Sequence, residues 1–306
     1  MERIVHVCNG DSTADTLSLA DLPGEIRVWA DALDQGPLLA VGDAEHYRTR
    51  GEFWASRGAG SAADHAQQLA TWDKGVDEAA AAEELILLFE HDLFDQLALA
   101  RLLSRLARRG LPKTLTIVSI DRHPDVPNFI GFGQLKPEQL AELWARRTPV
   151  SRDGIDEAVT AWIAVTSEDP RALPFLVRRV KALPFLAGAL ERHLEELPDP
   201  TSGMSRTERQ LLAAMARGET SLVHSVQAID PRYPITDVVL KHTLDTFKTL
   251  GFTDGTAITA LGRQALAGAI DRVHEQGIDE WRGGVHLTGR GPVWRWESRE
   301  RRLLEK

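Results

Sequence analysis

Ile4-Val5-His6-Val7-Cys8 runs straight into Asn9-Gly10-Asp11-Ser12, and Leu85-Ile86-Leu87-Leu88-Phe89 runs into Glu90-His91-Asp92. Each is a short apolar stretch with little polar alternation, closed by loop-forming or acidic residues. A strand apolar on both faces must be covered on both, as in a parallel sheet held between helices. Two more runs follow the same pattern: Glu25-Ile26-Arg27-Val28-Trp29 after the breaker pair Pro23-Gly24, and Leu115-Thr116-Ile117-Val118-Ser119-Ile120 after Gly110-Leu111-Pro112. Between Phe89 and Leu115, Leu93, Phe94, Leu97, Leu99, Leu102, Leu103 and Leu106 recur near a 3.6 spacing. That predicts a helix with Arg101, Arg105, Arg108 and Arg109 on its outer side. Strands alternating with helices predict an α/β fold, a Rossmann-like parallel sheet over residues 1–150.

In an open parallel sheet the strand carboxyl ends share one edge, and ligands bind in the crevice outside it. The four runs end on Asn9, Gly10, Asp11 and Ser12, on Asp31, on Glu90, His91 and Asp92, and on Asp121, His123 and Asp125. Four strands that each deliver an acid to one edge predict a polar, acidic cleft. Asn9, Gly10, Asp31, Glu90 and Gln96 would line it, with Asp11, Ser12, His91 and His123 as the reactive groups. Each residue also has an ordinary structural use. Asp92 followed by Asp95 and Gln96 reads as a helix N-cap with its partner. Ser12 or Thr13 reads as the cap of the next helix, and residues 31–37 as turn chemistry.

Two chemistries suit such a cleft. Asp11, Asp92 and Asp121, with the imidazoles of His91 and His123, offer oxygen-rich ligation for magnesium or manganese, which would clamp a phosphorylated ligand. Alternatively Ser12, activated by a histidine that an acid orients, is a nucleophile. Gly10-Asp11-Ser12 after a first strand resembles the opening block of SGNH-type hydrolases. That family's Gly-x-Asn-Asp block is missing here, and Asp121 precedes His123 by two positions rather than three. Asn9-Gly10-Asp11-Ser12 matches neither a phosphate loop nor Gly-x-Gly-x-x-Gly, so no nicotinamide or flavin is implied. Gly131-Phe132-Gly133-Gln134, ahead of a helix opened by Pro137, reads as a turn that could bring backbone to a ligand.

Residues 151–202 read as a helical connector broken by Pro170, Pro174, Pro184 and Pro198, ending in the linker-like Leu197-Pro198-Asp199-Pro200-Thr201-Ser202-Gly203. In residues 203–306, Ser205-Arg206-Thr207-Glu208 is a capping box. A short helix over 221–229 and a third opened by Thr236 follow. Phe252 to Ile258 reads as a hairpin turning on Asp254-Gly255, and Thr259 caps a last helix towards Gly277. Three helices, a hairpin and a helix predict a winged-helix-like domain, whose third helix carries Lys241, His242 and Lys248 but also Asp237 and Asp245. The tail from Trp281 to Trp296 reads as a hairpin with Trp294 and Trp296 on one face, suited to closing a core or a subunit contact.

The chain has 306 residues, 43% hydrophobic and 26% charged, and a net charge of −9. Residues 1–150 carry −8, 151–200 carry −3 and 201–306 carry +2. An acidic front half repels a phosphodiester backbone, and +2 is not a basic domain, so the sequence predicts weak DNA binding at most. The start Met1-Glu2-Arg3-Ile4 has no basic and apolar leader, and one cysteine, Cys8, excludes an internal disulfide. A cytoplasmic protein without a membrane span is expected.

Taken together, Val7-Cys8-Asn9-Gly10-Asp11-Ser12, Val28-Trp29-Ala30-Asp31 with Gln35-Gly36-Pro37, Asp92…Asp95-Gln96 and Gly131-Phe132-Gly133 resemble domain-of-unknown-function family 1835. Ser205-Arg206-Thr207-Glu208-Arg209-Gln210-Leu211-Leu212, Leu261-Gly262-Arg263 and Gly283-Gly284-Val285-His286-Leu287 resemble the C-terminal portion of the same bacterial proteins. The resemblance implies the architecture and a bacterial cytoplasm, and no reaction. The functional expectation is a hydrolase for a small, phosphorylated or otherwise chelating molecule. The alternatives are a ligand-responsive DNA-binding regulator and a scaffold that forms homo-oligomers.

Overall fold

The computed structural model describes residues 3–306; Met1 and Glu2, half of the start read above as free of a leader, lie outside them. The first part runs β1 (Ile4–Cys8), α1 (Asp11–Leu19), β2 (Glu25–Val28), the two-residue β3 (Gly36–Pro37), α2 (Asp43–Ser56), α3 (Ala62–Ala79), β4 (Glu84–Leu88), α4 (Leu93–Arg109), β5 (Thr114–Val118), α5 (Pro137–Ala145) and β6 (Thr148–Pro149). The sheet order is β2-β1-β4-β5-β6. The first four strands are parallel and β6 is antiparallel at the edge, so the sheet is mixed. The chain leaves β1 on one side to make β2 and returns on the other to make β4. The order therefore reverses between β1 and β4, where such sheets open a crevice.

Period-two alternation divides the central strands between two cores. Leu85 and Leu87 pack with Val76 of α3 and the leucines of α4, while Ile86 and Leu88 pack with Leu17 of α1 and Leu140 of α5. The structure corrects one expectation for α4. Arg101 and Arg105 are 4% and 3% exposed, because the α2–α3 pair covers the face that the spacing assigned to solvent. Both donate to the fully buried Asp73, which also accepts from Trp29 Nε1 and Tyr47 Oη, each at 2.9 Å. Four donors on one carboxylate make this burial tolerable.

α6 (Arg152–Val165) lies on α4, followed by α7 (Leu173–Arg179) and α8 (Leu186–Leu194). Pro174 opens α7 from its first turn rather than breaking a helix. The linker-like residues 197–203 are also corrected. Leu197 and Ser202 are 4% and 3% exposed, and Pro198 O accepts from Trp296 N at 3.0 Å. The Pro-Gly-Ser composition here serves a tight, buried turn.

The last part comprises α9 (Arg206–Ala216), α10 (Leu222–Ile229), α11 (Asp237–Thr249), α12 (Ala260–Leu266), α13 (Arg272–Gln276), β7 (Ile278–Gly283), β8 (Val285–Gly289), β9 (Trp294–Glu297) and β10 (Arg302–Glu305). The capping box forms as read: Ser205 Oγ accepts from Glu208 N at 3.2 Å, and Glu208 Oε2 accepts from Ser205 N at 2.7 Å. The expected hairpin at 252–258 reduces to a single bridge between Thr253 and Ile258. The last helix is two helices, parted near Gly268 at φ +69. The α/β class therefore stands, without a two-stranded wing. The tail makes two antiparallel pairs rather than one: β7 with β8, and β9 with β10. β3 adds to β7, so residues near the start and near the end share one small sheet. No helix among the described residues is long and apolar enough to cross a membrane.

Candidate functional site

The carboxyl edge at β1 and β4 carries the least expected chemistry. Asn9 follows β1, and its amide nitrogen donates to Glu90 Oε2 at 2.8 Å and to Asp95 Oδ1 at 2.7 Å. Thr13 Oγ1 donates to Asn9 Oδ1 at 3.1 Å, which fixes the orientation of that amide. Glu90 Oε1 accepts from Phe132 N, and Asp95 accepts from Glu90 N. The Asn9 amide thus bridges two buried carboxyls, whose like charges oppose each other's ionisation. Burial pushes Glu90 up to about 7, with the charge of Asp92 adding to it. Burial and the neighbouring Glu90 raise Asp95 well above the carboxylate range. Both carboxyls therefore hold protons more tightly than ordinary carboxyls do.

The other predicted residues divide between this cluster and local structural duty. Gln96 joins the cluster by donating to Glu90 O. Asp92 Oδ1 accepts from Asp95 N at 2.9 Å, so it is the N-cap of α4, and burial raises its carboxyl too. Asp31 is drawn away to Arg50 and Trp54 on α2. Burial alone would raise its carboxyl, but the Arg50 guanidinium holds it below the usual range. His91 is 7% exposed, edge-on to Phe185 with ring centroids 6.1 Å apart. Burial lowers its pKa, and Asp121 and Asp230 are its acidic neighbours. His123 Nδ1 accepts from Asp125 N at 3.3 Å, and Asp121 pairs with Arg122 at 3.1 Å, so each is used by its own turn.

Asp11 and Ser12 form the exposed first turn of α1. The α1 N-cap is Gly10, with no side-chain cap, so neither Ser12 nor Thr13 plays the capping role read from the sequence. No hydrogen bond joins Ser12 to His91 or His123, so the serine-nucleophile arrangement is not assembled. The metal set fails similarly. Asp92 is occupied by its cap, Asp121 by Arg122, and among the described residues no three His, Cys, Asp or Glu are grouped to hold a metal ion. The residues do not fit magnesium or manganese.

The sequence reading missed Asp95, taken as a capping partner, and the covering of the edge from both ends of the chain. The Gly131–Gly133 turn lies over Glu90 and Ser12. A Cβ at Gly131 would come 3.0 Å from Glu90 Oε1, and one at Gly133 would come 2.1 Å from Ser12 Oγ. From the other half, Arg232 O accepts from Leu93 N at 2.9 Å, and Tyr233 Oη accepts from Gln35 Nε2 at 2.6 Å. The third acid of Glu90-His91-Asp92-Leu93-Phe94-Asp95 was the available signal for Asp95. Nothing local marks Arg232 or Tyr233. Comparison of the chain with protein-family models and with curated proteins finds no match.

Proposed function

We propose that the protein binds a small polar metabolite at the β1–β4 edge and hydrolyses it, with the Glu90–Asp95 pair as its proton store. The buried pair, bridged by Asn9 and with Glu90 pushed up to about 7, carries this reading. Two acids buried against each other are a poor structural choice, and apolar residues of similar volume would hold the edge at least as well. A carboxyl near pH 7 is matched instead to giving and taking protons at neutrality. Asn9 presents the pair, and the Gly131–Gly133 turn covers it. The turn belongs to the stretch between β5 and α5, and long connections of this kind commonly act as lids. Asp11 already places a carboxylate at the positive end of α1. That favours a neutral or cationic substrate over a phosphorylated one.

The experiment screens neutral and cationic esters, amides and nucleosides for hydrolysis by the full chain. The expected result is a substrate whose turnover falls about 100-fold or more in Glu90→Gln and in Asp95→Asn, with melting temperatures no lower than the wild type. Equal turnover in the variants, or no hydrolysis across the panel, overturns the proposal.

Under the same reading, α9–α12 form a winged-helix-like module of a cytoplasmic protein that serves packing rather than DNA binding. His242 lines a small junction cavity with Phe53, Arg57 and Trp281. The exposed side of α11 carries Asp237, Lys241, Asp245 and Lys248, whose charges cancel, with Lys241 and Asp245 paired at 3.1 Å.

A further inference from the structure

Residues 39–43, α2, α4 and α6 enclose a second cavity of about 270 Å³. Its α4 wall runs from Arg101 to Arg108, about 14 to 24 Å along that helix from Asp92 by helical rise, and so stands apart from the strand-end edge. Its walls are mixed, with Leu39, Val159 and Trp162 on the apolar side and Asp43, Arg101 and Thr166 among the polar groups. Val41 and Ile163, at 42% and 62% exposed, stand at its margin.

The charge around it does not balance. Four arginines of α4 face three aspartates. Asp73 takes Arg101 and Arg105, Asp77 takes Arg105, and Asp43 takes Arg105 and Arg109. Arg108 lines the cavity and is left over, with no hydrogen bond or ion pair among the described residues. Ser104, 4% exposed, also lines the cavity, and its hydroxyl has no partner among the described residues. So does His46, 4% exposed, whose Nε2 is buried without a partner. The exposed Arg108 guanidinium therefore stands beside a cavity that Ser104 and the unpartnered His46 Nε2 also line.

We propose that this cavity binds a small organic monoanion, a carboxylate on an apolar body, with Arg108 meeting the carboxylate and Val41, Trp162 and Ile163 covering the body. The planar guanidinium matches a carboxylate through two parallel hydrogen bonds. Asp43 does not repel the ligand, because Arg105 and Arg109 both neutralise it. Burial holds the His46 ring neutral, down to about 3, so it contributes a hydrogen bond rather than a second charge. One net positive charge, from Arg101 and Arg108 against Asp43, matches a monoanion better than a dianion such as inorganic phosphate, and Leu39, Val159 and Trp162 favour an apolar body behind it.

Isothermal titration of the full chain with benzoate and hexanoate as probes tests this, with hexan-1-ol and inorganic phosphate as the uncharged and purely ionic comparisons. The expected result is saturable binding of at least one carboxylate, stronger than either comparison. Affinity should fall at least tenfold in Arg108→Gln and in Ile163→Asp, both exposed positions whose folding is checked by thermal melts. Lack of saturable carboxylate binding, unchanged affinity in either folded variant, or phosphate binding as tightly as the carboxylates overturns the proposal. The strand-end proposal fails separately, because Glu90→Gln leaves this binding intact.

Discussion

Asp31 and Arg50 meet through two parallel hydrogen bonds of 2.7 and 2.8 Å, with side chains 3% and 0% exposed. Arg50 also donates to Ala32 O at 2.9 Å and to Gln35 O, so this pair bolts the loop after β2 onto α2. Removing one partner leaves the other charged, buried and alone. Arg50→Ala is therefore expected to destabilise the chain by about 3–5 kcal/mol in urea unfolding, and Asp31→Leu with Arg50→Met together by much less. A single-variant loss under about 1 kcal/mol would contradict the assignment.

The Glu90 carboxyl gives a pH dependence of defined sign. Its pKa is about 7 in the folded chain against an ordinary 4.5, so the folded state binds that proton more tightly. The resulting stabilisation is full below about pH 4.5 and is lost as pH rises through 7. It amounts to something on the order of 3 kcal/mol. His6, His46, His91, His193 and His242 are all lowered, mainly by burial, and act in the opposite sense as pH falls below 6.5. The measurement is thus a difference: wild type should lose stability relative to Glu90→Gln between pH 5 and pH 7. A pH-independent difference would exclude a proton held at Glu90.

Gly283 joins the β7–β8 hairpin to α6. Its φ is +62, and a Cβ there would sit 2.3 Å from Val165 O, the carbonyl that accepts from Gly284 N at 2.8 Å. Gly58 has a similar φ of +76 with nothing within 4 Å. Both alanine variants carry the left-handed penalty of roughly 1–2 kcal/mol, but only Gly283→Ala adds a backbone clash. Its total cost should reach roughly 2–5 kcal/mol. Equal melting temperatures for the two variants would show that the hairpin is not seated as described.

The balanced charges on the exposed side of α11 make a further expectation plain. Retention on duplex DNA should be absent at low salt, and Lys241→Ala with Lys248→Ala should change nothing. Salt-dependent retention lost in that double variant would restore the regulator reading.

Local sequence was enough for the four central strands, the helix between β4 and β5, the Asp92 cap and the Ser205 capping box. Each depends on residues within one or two turns of one another. That the carboxyl ends of β1 and β4 share one edge was also legible, because strand ends are fixed once the strands are. The uses of the individual acids were not. Whether Asp31 faces a ligand or Arg50 depends on where α2 packs, and Arg101 looked solvent-facing until α3 supplied Asp73.

What the sequence determined by itself is the α/β framework, since hydrophobic period and capping are local properties of the chain. Tertiary structure alone decided which charges are spent on one another, that Asn9 bridges the buried carboxyls of Glu90 and Asp95, and that Arg108 is left without a partner among the described residues. Ion pairing and desolvation depend on distance and burial, and segments remote in sequence set both.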